Sequence, residues 1–297
     1  MGSNRIGIDL GGSKTEIIVL RGTRIFWRKR VATPSGSYPA MLDCLAELVN
    51  EARQLAPGAP VGIGMPGALC DGRVKNANTV CLNGQAFQQD IEARLGGPVR
   101  IMNDANCFAL SEAIDGAGED GEVVFGVILG TGVGGALVVN KQVLHGANAI
   151  AGEWGHNALC RRAPVTGGNS RVCYCGRKDC VETWLSGAGL AQTFLESCGE
   201  AVSGEQLSRR LAAGDSQAQQ VFRLYVEQLA ASLAVVINIA DPDIIVLGGG
   251  LSQLPDLAEA VEARLPDYVF SPTLRSRVLG NRHGDASGVR GAAWLWP

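Results

Sequence analysis

Two glycine-rich turns constrain the fold of this chain more than any other feature. The first is Asp9-Leu-Gly-Gly-Ser-Lys14, and the second is Gly130-Thr-Gly-Val-Gly-Gly135. Each turn follows a run rich in β-forming residues and precedes another such run. A repeated strand–turn–strand unit predicts two similar halves. Because glycines let backbone N–H groups approach an anion closely, we expect an α/β protein whose two halves bind one polyphosphate.

Composition excludes several other classes of protein. The 297 residues include 19% charged and only 5% aromatic residues, and the formal net charge is −3. These values argue against a nucleic-acid-binding surface. No run reaches the roughly 18 apolar residues of a membrane helix. A strand beginning at residue 5 leaves no room for a signal peptide. We therefore expect a cytoplasmic protein without nucleic-acid or membrane partners.

Alternating strand and helix patterns support the α/β class. The first half is predicted to contain three strands within residues 5–33, a helix at 38–55, strands at 61–65 and 99–102, and a helix at 105–117. The pattern restarts after the small, acidic segment 116–121. The second half is predicted to contain strands at 123–129, 136–139 and 244–247 and helices at 186–198, 204–213, 216–240 and 285–295. We place the boundary between an N-terminal lobe, residues 1–118, and a C-terminal lobe at this linker.

The first turn has the chemistry of a phosphate loop. Asp9 ends a strand directly before Gly11, Gly12, Ser13 and Lys14. A carboxylate beside bound phosphate requires a divalent cation between them, so Asp9 is expected to hold Mg²⁺ through water. A plain β-hairpin turn is the alternative for this segment. The formal Gly-x-Gly-x-x-Gly match of the second turn is not a dinucleotide site, because a strand rather than a helix follows it.

A compact group of cysteines predicts a metal site. Cys173, Cys175 and Cys180 lie close together in a chain with only three histidines, and one of these, His156, precedes them. One imidazole and three thiolates would complete a tetrahedral, structural zinc site. Three free thiols or a disulfide are the alternatives.

Carboxylates near predicted strand ends are the candidates for proton transfer. Asp104 follows a strand and begins a helix, which allows it either to cap the helix or to act as a general base for a sugar hydroxyl. Asn103 or Asn106 could cap the helix instead. Glu153 and Glu182 flank the cysteine group and offer acceptors for a polyol.

These motifs together resemble the ROK family of sugar kinases, within the actin-like ATPase superfamily. The resemblance covers nearly the whole chain through Ile8–Lys14, Gly64–Gly67, Asn103–Asn106, Leu129–Gly135, Gly152–His156, Cys173–Glu182 and Leu247–Gly250. It implies two ribonuclease H-like lobes that close over ATP and sugar in an interlobe cleft. It also implies that a C-terminal helix, about residues 285–297, returns to the first lobe, which leaves residues 119–284 as the second lobe.

The resemblance also implies roles for individual residues. Asp104 matches the catalytic base, and His156, Cys173, Cys175 and Cys180 match the zinc ligands. The two glycine turns match the family's binding site for ATP and its Mg²⁺. The residues are Asp9, Gly11, Gly12, Ser13 and Lys14 in the first turn, and Gly130, Thr131, Gly132, Gly134 and Gly135 in the second. Gly248, Gly249 and Gly250 match the adenosine site. Sugar contacts are implied for Gly67, Asn78, Asn103, Asp104, Glu153, His156 and Glu182. The resemblance further implies a homodimer.

Two features of the resemblance bear on the substrate. The segments Val74–Asn78 and Leu82–Phe87 are similar to the bacterial fructokinase, mannokinase-like branch, whereas Asn103–Ala113 and Thr131–Gly135 are equally similar to the N-acetylglucosamine kinase branch. Because the segment 76–85 would face the sugar, D-fructose is predicted, with fructose 6-phosphate as product. N-acetylglucosamine, mannose and glucose are the alternatives.

Two departures and two rival functions accompany this prediction. Ser13 replaces the usual threonine and keeps its hydroxyl, while Asp179 replaces a glycine before the last cysteine. A sugar-responsive repressor of the same family would carry an added helix-turn-helix before the first strand. A catalytically idle sugar- or zinc-binding module would have no need of Asp9, Asp104 and both glycine turns.

Overall fold

The computed structural model of the chain describes residues 3–77, 79–166 and 170–297. The chain forms two compact units. Unit 1 contains Met1–Gly116, His145–Ile150 and Asp285–Pro297, and unit 2 contains Ala117–Leu144 and Ala151–Gly284. The division after Gly116 falls at the start of the small, acidic segment 116–121.

The described residues form strands and helices in the following order. The strands are β1 (Asn4–Leu10), β2 (Lys14–Arg21), β3 (Arg24–Ala32), β4 (Val61–Met65), β5 (Ala68–Cys70), β6 (Arg73–Lys75), β7 (Val99–Asn103), β8 (Val123–Leu129), β9 (Val133–Val139), β10 (Gln142–Val143), β11 (Ile244–Gly248) and β12 (Arg277–Gly280). The helices are α1 (Tyr38–Leu55), α2 (Phe87–Leu95), α3 (Asp104–Asp115), α4 (Glu182–Leu185), α5 (Gly187–Cys198), α6 (Gly204–Ala212), α7 (Ser216–Ala240), α8 (Leu257–Arg264) and α9 (Ser287–Trp294).

Each unit is built on the same five-stranded sheet. The strand order is β3-β2-β1-β4-β7 in unit 1 and β10-β9-β8-β11-β12 in unit 2. In both sheets the first three strands are antiparallel and the last two run parallel to the central one. The expected α/β fold with duplicated halves is therefore confirmed, and each glycine turn joins the central strand of its sheet to the next strand along the chain.

The core of unit 1 is closed by the last helix of the chain. Helix α9 packs against β1 and β4 at two glycines. A Cβ atom at Gly7 would lie 2.2 Å from the Val289 carbonyl oxygen, and one at Gly62 would lie 1.9 Å from that of Ala292. Only glycine allows this approach. The Arg290 guanidinium also pairs with Asp115 at the end of α3, where both side chains are buried.

The core of unit 2 surrounds the long helix α7. Tyr225, Leu229 and Leu233 of this helix are buried, and the Tyr225 hydroxyl donates to the Leu185 carbonyl at 2.9 Å. By length and composition α7 could cross a membrane, with a mean hydropathy of 1.3, but 56% of that window is buried in the protein. Because core helices pass the same test, α7 is weak evidence for a membrane span.

Several predicted elements match the structure, and some differ from it. Helix α1 has the predicted bounds, because its apolar spacing is regular and Ser37 caps its first turn by accepting from the Ala40 N–H. Strand β9 begins at Val133 rather than at residue 136, since Gly134 and Gly135 pair with β8 despite their low strand propensity. Between β4 and β7, where the sequence predicts no strand, the chain forms the hairpin of β5 and β6, whose three-residue strands are too short for a periodic signal.

Candidate active site

The carboxyl ends of β1, β4 and β7 bring several predicted site residues of unit 1 together. Asp9 is in register with Gly64, and Met65 is in register with Asn103. The Asn103 side-chain amide donates to the Gly67 carbonyl at 3.0 Å. Parallel strands thus place Asp9, Gly67 and Asn103 at one edge of the sheet, where α/β proteins bind ligands.

Asn103, not Asp104, is the N-cap of α3. Its backbone is extended, and its Oδ1 accepts from the Ala105 N–H at 2.8 Å. Asp104 is the first residue of the helix, is exposed, and its Oδ1 also lies 2.8 Å from the Ala105 nitrogen. Since Asn103 fulfils the capping role, capping alone does not account for an aspartate at position 104.

Asp9 carries a strongly perturbed carboxyl group at this edge. Burial, then the neighbouring charge of Asp104 and that of Glu16, raise the pKa of Asp9 to about 7, while Arg30 opposes this rise. Glu16 faces Asp9 across the β1–β2 ladder and Arg30 across the β2–β3 ladder. A carboxyl group that is costly to ionise alone is suited to bind a cation, which would compensate its charge.

The first glycine turn forms a β-hairpin turn whose tip is open to solvent. The Gly11 N–H donates to the Lys14 carbonyl at 3.0 Å, and a Cβ at Gly11 would lie 2.7 Å from that oxygen. Gly12, Ser13 and Lys14 are exposed. The hairpin alternative and the phosphate-loop interpretation are therefore compatible in this segment.

Support for the first turn comes from Thr33, which directly follows β3, and from α9. The Thr33 hydroxyl donates to the Gly11 carbonyl at 2.8 Å and lies 2.8 Å from the Thr15 hydroxyl. At the start of α9, a Cβ on Gly288 would lie 3.2 Å from Asp9 Oδ2. The absence of a side chain at position 288 leaves the Asp9 carboxylate its space.

The second glycine turn lines a cavity in unit 2. This cavity has a volume of about 660 Å³, which is in the range of small-ligand sites. Gly130 and Thr131 lie on its wall together with Gly250. Gly249 has a φ of 84°, and a Cβ atom there would lie 2.4 Å from the Leu129 carbonyl oxygen. Gly248 pairs with Ile128, so the two glycine segments lie side by side. The remaining lining residues are Gly187, Ala188, Gly204, Glu205, Ser208, Leu251, Gln253 and Leu254.

The four predicted metal ligands lie together in unit 2. Their ligand atoms are all within 4.8 Å of one another. Cys175 Sγ lies 3.6 Å from Cys180 Sγ, and His156 Nδ1 lies 3.6 Å from Cys173 Sγ. Tetrahedral zinc with bonds of about 2.3 Å to sulfur separates two thiolates by about 3.8 Å, whereas a disulfide bond is about 2.05 Å long. All of the cysteines are free, so the group fits a metal and not a disulfide.

The remaining residues predicted to contact the sugar differ in their exposure and in their hydrogen-bond partners. His156 directs Nδ1 towards the cysteines, and its Nε2 lies 3.0 Å from the Tyr174 hydroxyl. Glu153 is exposed beside it. Glu182 instead accepts a hydrogen bond from the Val133 N–H, at 2.9 Å. Asn78 lies outside the described residues. The side chain of Asn83 accepts a hydrogen bond from the Ala77 N–H and donates one to the Ala77 carbonyl, each at 2.9 Å.

Comparison with known proteins identifies the family. The profile of the ROK family matches residues 5–297. An N-acetyl-D-glucosamine kinase from Shigella flexneri serotype 5b (strain 8401) is 41% identical over 296 residues, which cover 97% of this chain and 98% of that protein. The chain belongs to the ROK family. The resemblance of its motifs to this family is thus confirmed.

Solved ROK structures have the same fold. A ROK hexokinase from Thermus thermophilus superposes with a TM-score of 0.85 at 29% identity, covering 98% of this chain and 96% of that one. A ROK family glucokinase from Streptomyces griseus, in complex with glucose and AMPPNP, gives a TM-score of 0.79 at 27% identity, with 99% of both chains covered. These ROK relatives do not support the sequence-based preference for fructose, because the 41% identical relative is an N-acetyl-D-glucosamine kinase.

Buried residues next to the second glycine turn and the metal cluster were not predicted from the sequence. Trp154 is buried, and its indole N–H donates to the Gly134 carbonyl at 2.9 Å. Arg171 is buried beside the cysteines, pairs with Glu196 at 2.8 Å and stacks on Trp184 with 3.7 Å between the guanidinium carbon and the ring centroid. The position of Trp154 between Glu153 and His156 was the available signal, since it lies within the Gly152–His156 motif.

Proposed function

We propose that this protein, an ATP-dependent sugar kinase of the ROK family, phosphorylates N-acetyl-D-glucosamine on its 6-hydroxyl group. The observation that carries this proposal is the 41% identity to an N-acetyl-D-glucosamine kinase across 97% of the chain. This match covers nearly the whole chain, whereas the prediction of fructose rests on the short segment 76–85.

Asp104 is the general base of the proposed reaction. As the sugar O6 attacks the γ-phosphorus of ATP, its proton passes to the Asp104 carboxylate, the O6–phosphorus bond forms, and the bond from phosphorus to the β,γ-bridging oxygen breaks to release ADP. The N-cap role of Asn103 supports this assignment. Asn103 and Gly67, joined by a hydrogen bond, are proposed to contact the sugar, together with Asn78, Glu153, His156 and Glu182.

The two glycine turns bind the polyphosphate. Backbone N–H groups of the two turns are proposed to offer donors that stabilise negative charge without reorganising. The N–H groups of Gly11, Gly130 and Val133 are excepted, because they already donate to acceptors within the protein. Asp9 would hold Mg²⁺ through water, and the bound ion would neutralise charge on the transferring phosphoryl group. The raised pKa of Asp9 supports this role, because its anionic form lacks a compensating partner of sufficient charge.

The cavity of unit 2 is the proposed adenosine site. Its wall combines the second glycine turn with Gly250 and the apolar side chains of Leu251 and Leu254. An apolar wall suits a purine ring, while the turn beside it suits the attached phosphates. Gly248 and Gly249 do not line the cavity, and they contribute by allowing the end of β11 to lie close to the end of β8, since a Cβ atom at Gly249 would lie 2.4 Å from the Leu129 carbonyl oxygen.

His156, Cys173, Cys175 and Cys180 are proposed to bind a structural zinc ion. Four protein ligands leave no open position for catalysis, so zinc would contribute folding free energy at this place rather than chemistry. The separations of the sulfur and nitrogen atoms support this assignment.

A substrate panel tests the proposed function. The purified protein is given MgATP with N-acetylglucosamine, glucose, mannose or fructose, and ADP release is measured. The kcat/KM for N-acetylglucosamine is expected to exceed that for fructose at least tenfold, or by about 1.4 kcal/mol of transition-state binding. A higher value for fructose would restore the prediction from the segment 76–85, and no turnover with any sugar would favour an idle binding module.

A further inference from the structure

Two side chains from the metal-cluster segments hold the backbone of the second glycine turn. Glu182 accepts from the Val133 N–H at 2.9 Å, and the Trp154 indole N–H donates to the Gly134 carbonyl at 2.9 Å. The Val133 N–H belongs to the peptide group between Gly132 and Val133, and the Gly134 carbonyl belongs to the one between Gly134 and Gly135, where the turn enters β9. Side chains, and not the sheet alone, thereby fix the orientation of two peptide groups that are separated by one.

The turn and these two side chains fit each other closely. A Cβ atom at Gly132 would lie 2.5 Å from Glu182 Oε2, and one at Gly135 would lie 2.7 Å from Trp154 Cδ1. The indole also packs edge-on against Phe125 of β8, with 5.8 Å between ring centroids. Glycine at positions 132 and 135 therefore serves the approach of these supports as well as an approach to phosphate.

The same two segments carry the metal ligands. Trp154 lies two residues before His156, and Glu182 lies two residues after Cys180. Backbone hydrogen bonds also connect the two segments next to the ligands. The Val181 N–H donates to the Asn157 carbonyl at 2.9 Å, and Ala158 forms an isolated β-bridge with Cys180. A metal ion bound by His156 and Cys180 would tie the segments a second time, directly beside the residues that hold the turn.

We propose that Glu182 and Trp154 are positioning residues for the second glycine turn, and that the metal cluster sets its affinity for nucleotide by fixing both of them. This role of Glu182 is additional to the sugar contact implied by family resemblance. The inference rests on the proposed function to the extent that it takes the turn to bind the phosphates of ATP.

The negative charge of Glu182 allows its two possible effects on nucleotide affinity to be distinguished. A carboxylate beside an anion-binding turn repels phosphate, so its removal would tighten nucleotide binding if charge were its main effect. If Glu182 mainly orients the Val133 peptide group, its removal loosens the turn and weakens binding instead. The two effects predict opposite changes in one quantity, the affinity for nucleotide in the absence of sugar.

The first experiment measures that affinity by calorimetry with Mg-AMPPNP and no sugar. Glu182→Ala is expected to weaken binding at least fivefold, whereas Glu182→Gln, which keeps an acceptor oxygen for the Val133 N–H, stays within twofold of the wild type. Trp154→Phe, which keeps the ring and loses the donor, is expected to weaken binding two- to threefold. Glu259→Ala, on the exposed face of α8, is the matched control and leaves the affinity unchanged.

The second experiment tests the link to the metal cluster. Chelation with verified metal loss is expected to weaken Mg-AMPPNP binding by the wild type, assayed after the chelator is removed and Mg²⁺ restored. In the double variant Glu182→Ala/Trp154→Phe, the same treatment is expected to have a clearly smaller effect, because the supports are already absent. Circular dichroism before and after treatment restricts the comparison to folded protein.

The outcomes separate this inference from the proposed function. Unchanged or tighter nucleotide binding by Glu182→Ala overturns the positioning role, as does equal weakening by Glu182→Ala and Glu182→Gln. An effect of chelation that is the same in the wild type and the double variant overturns the link to the metal. If the wild-type protein itself binds no Mg-AMPPNP, the proposed function fails instead.

Discussion

The two glycine turns close the same strand–turn–strand unit, but different parts of the chain support them. The first is held by Thr33, the residue that directly follows β3, and by the space left at Gly288. The second is held by Glu182 and Trp154, which come from the segments of the metal cluster. The repeated sheet therefore specifies where each turn lies, while non-repeated segments specify how its peptide groups point.

This difference means that the two turns should respond to different perturbations. The supports of the first turn are hydroxyl groups and close packing, which need no metal. The supports of the second turn lie beside four metal ligands. Four predictions test this contrast.

The largest effect is expected from removing the proposed base of unit 1. Asp104→Asn should lower kcat by about 10³-fold, since general-base catalysis contributes roughly 10²- to 10⁴-fold. Sugar and Mg-AMPPNP affinities should stay within a few-fold of the wild type, because the amide keeps the size of the side chain. Steady-state ADP release and calorimetry measure these quantities. Activity like that of the wild type would refute the assignment of Asp104.

Metal removal is expected to give the clearest difference in response between the two turns. Chelation, or Cys175→Ser, should destabilise unit 2 by several kcal/mol, because binding free energy at a structural metal site is folding free energy. Hydrogen exchange followed by mass spectrometry should show faster exchange in peptides that cover residues 130–135, with little change in those that cover residues 9–14. Equal acceleration in both would show that the turns share their support.

A pH effect of intermediate size is expected from unit 1. The pKa of Asp9 is about 7 in the folded protein against an ordinary value of 3.8. The folded state therefore binds more protons than the unfolded state between these pH values. Its stability should fall as pH rises from about 4 to 7 in the absence of magnesium, with an upper bound of about 4 kcal/mol.

The variant Asp9→Asn provides the control for this pH effect. Its advantage in stability over the wild type should be about 1–3 kcal/mol larger at pH 8 than at pH 5. Urea unfolding at both pH values without magnesium measures the difference. A constant difference between the two proteins at both pH values would contradict the assigned cause.

The smallest effect is expected from the hydroxyl support of the first turn. Thr33→Val keeps the shape of the side chain and removes the hydrogen bond to Gly11, at a cost of about 1 kcal/mol. Exchange should accelerate in peptides covering residues 9–14 and not in those covering residues 130–135. Trp154→Phe is the matched variant for the second turn, and the reverse pattern is expected for it.

Much of the fold was predictable from local pattern. Strand β8 and helix α1 have regular periodicity and clear end signals, and both have the predicted bounds. Strand β12 and helix α8 were not predicted, because the first is four residues long and the second has a weak apolar periodicity. Short elements are specified by the surfaces against which they pack, and those surfaces are distant in sequence.

The candidate site was predictable where its chemistry is compact in sequence. The cysteines and His156 come together as expected, because their ligand types and spacing already describe a metal site. The contact of Glu182 with Val133 joins residues 49 positions apart, and no local pattern encodes it. The choice between Asn103 and Asp104 as helix cap also required coordinates, since both side chains are good caps.

The packing of α9 against Gly7 and Gly62 has a consequence for the order of folding during synthesis. Unit 1 begins with β1, yet it lacks its closing helix until residues 287–294 have left the ribosome. Unit 2 has all of its residues once position 284 has emerged. Unit 1, whose strands are translated first, is thus completed after unit 2, and apolar surface on its sheet stays exposed until α9 has emerged.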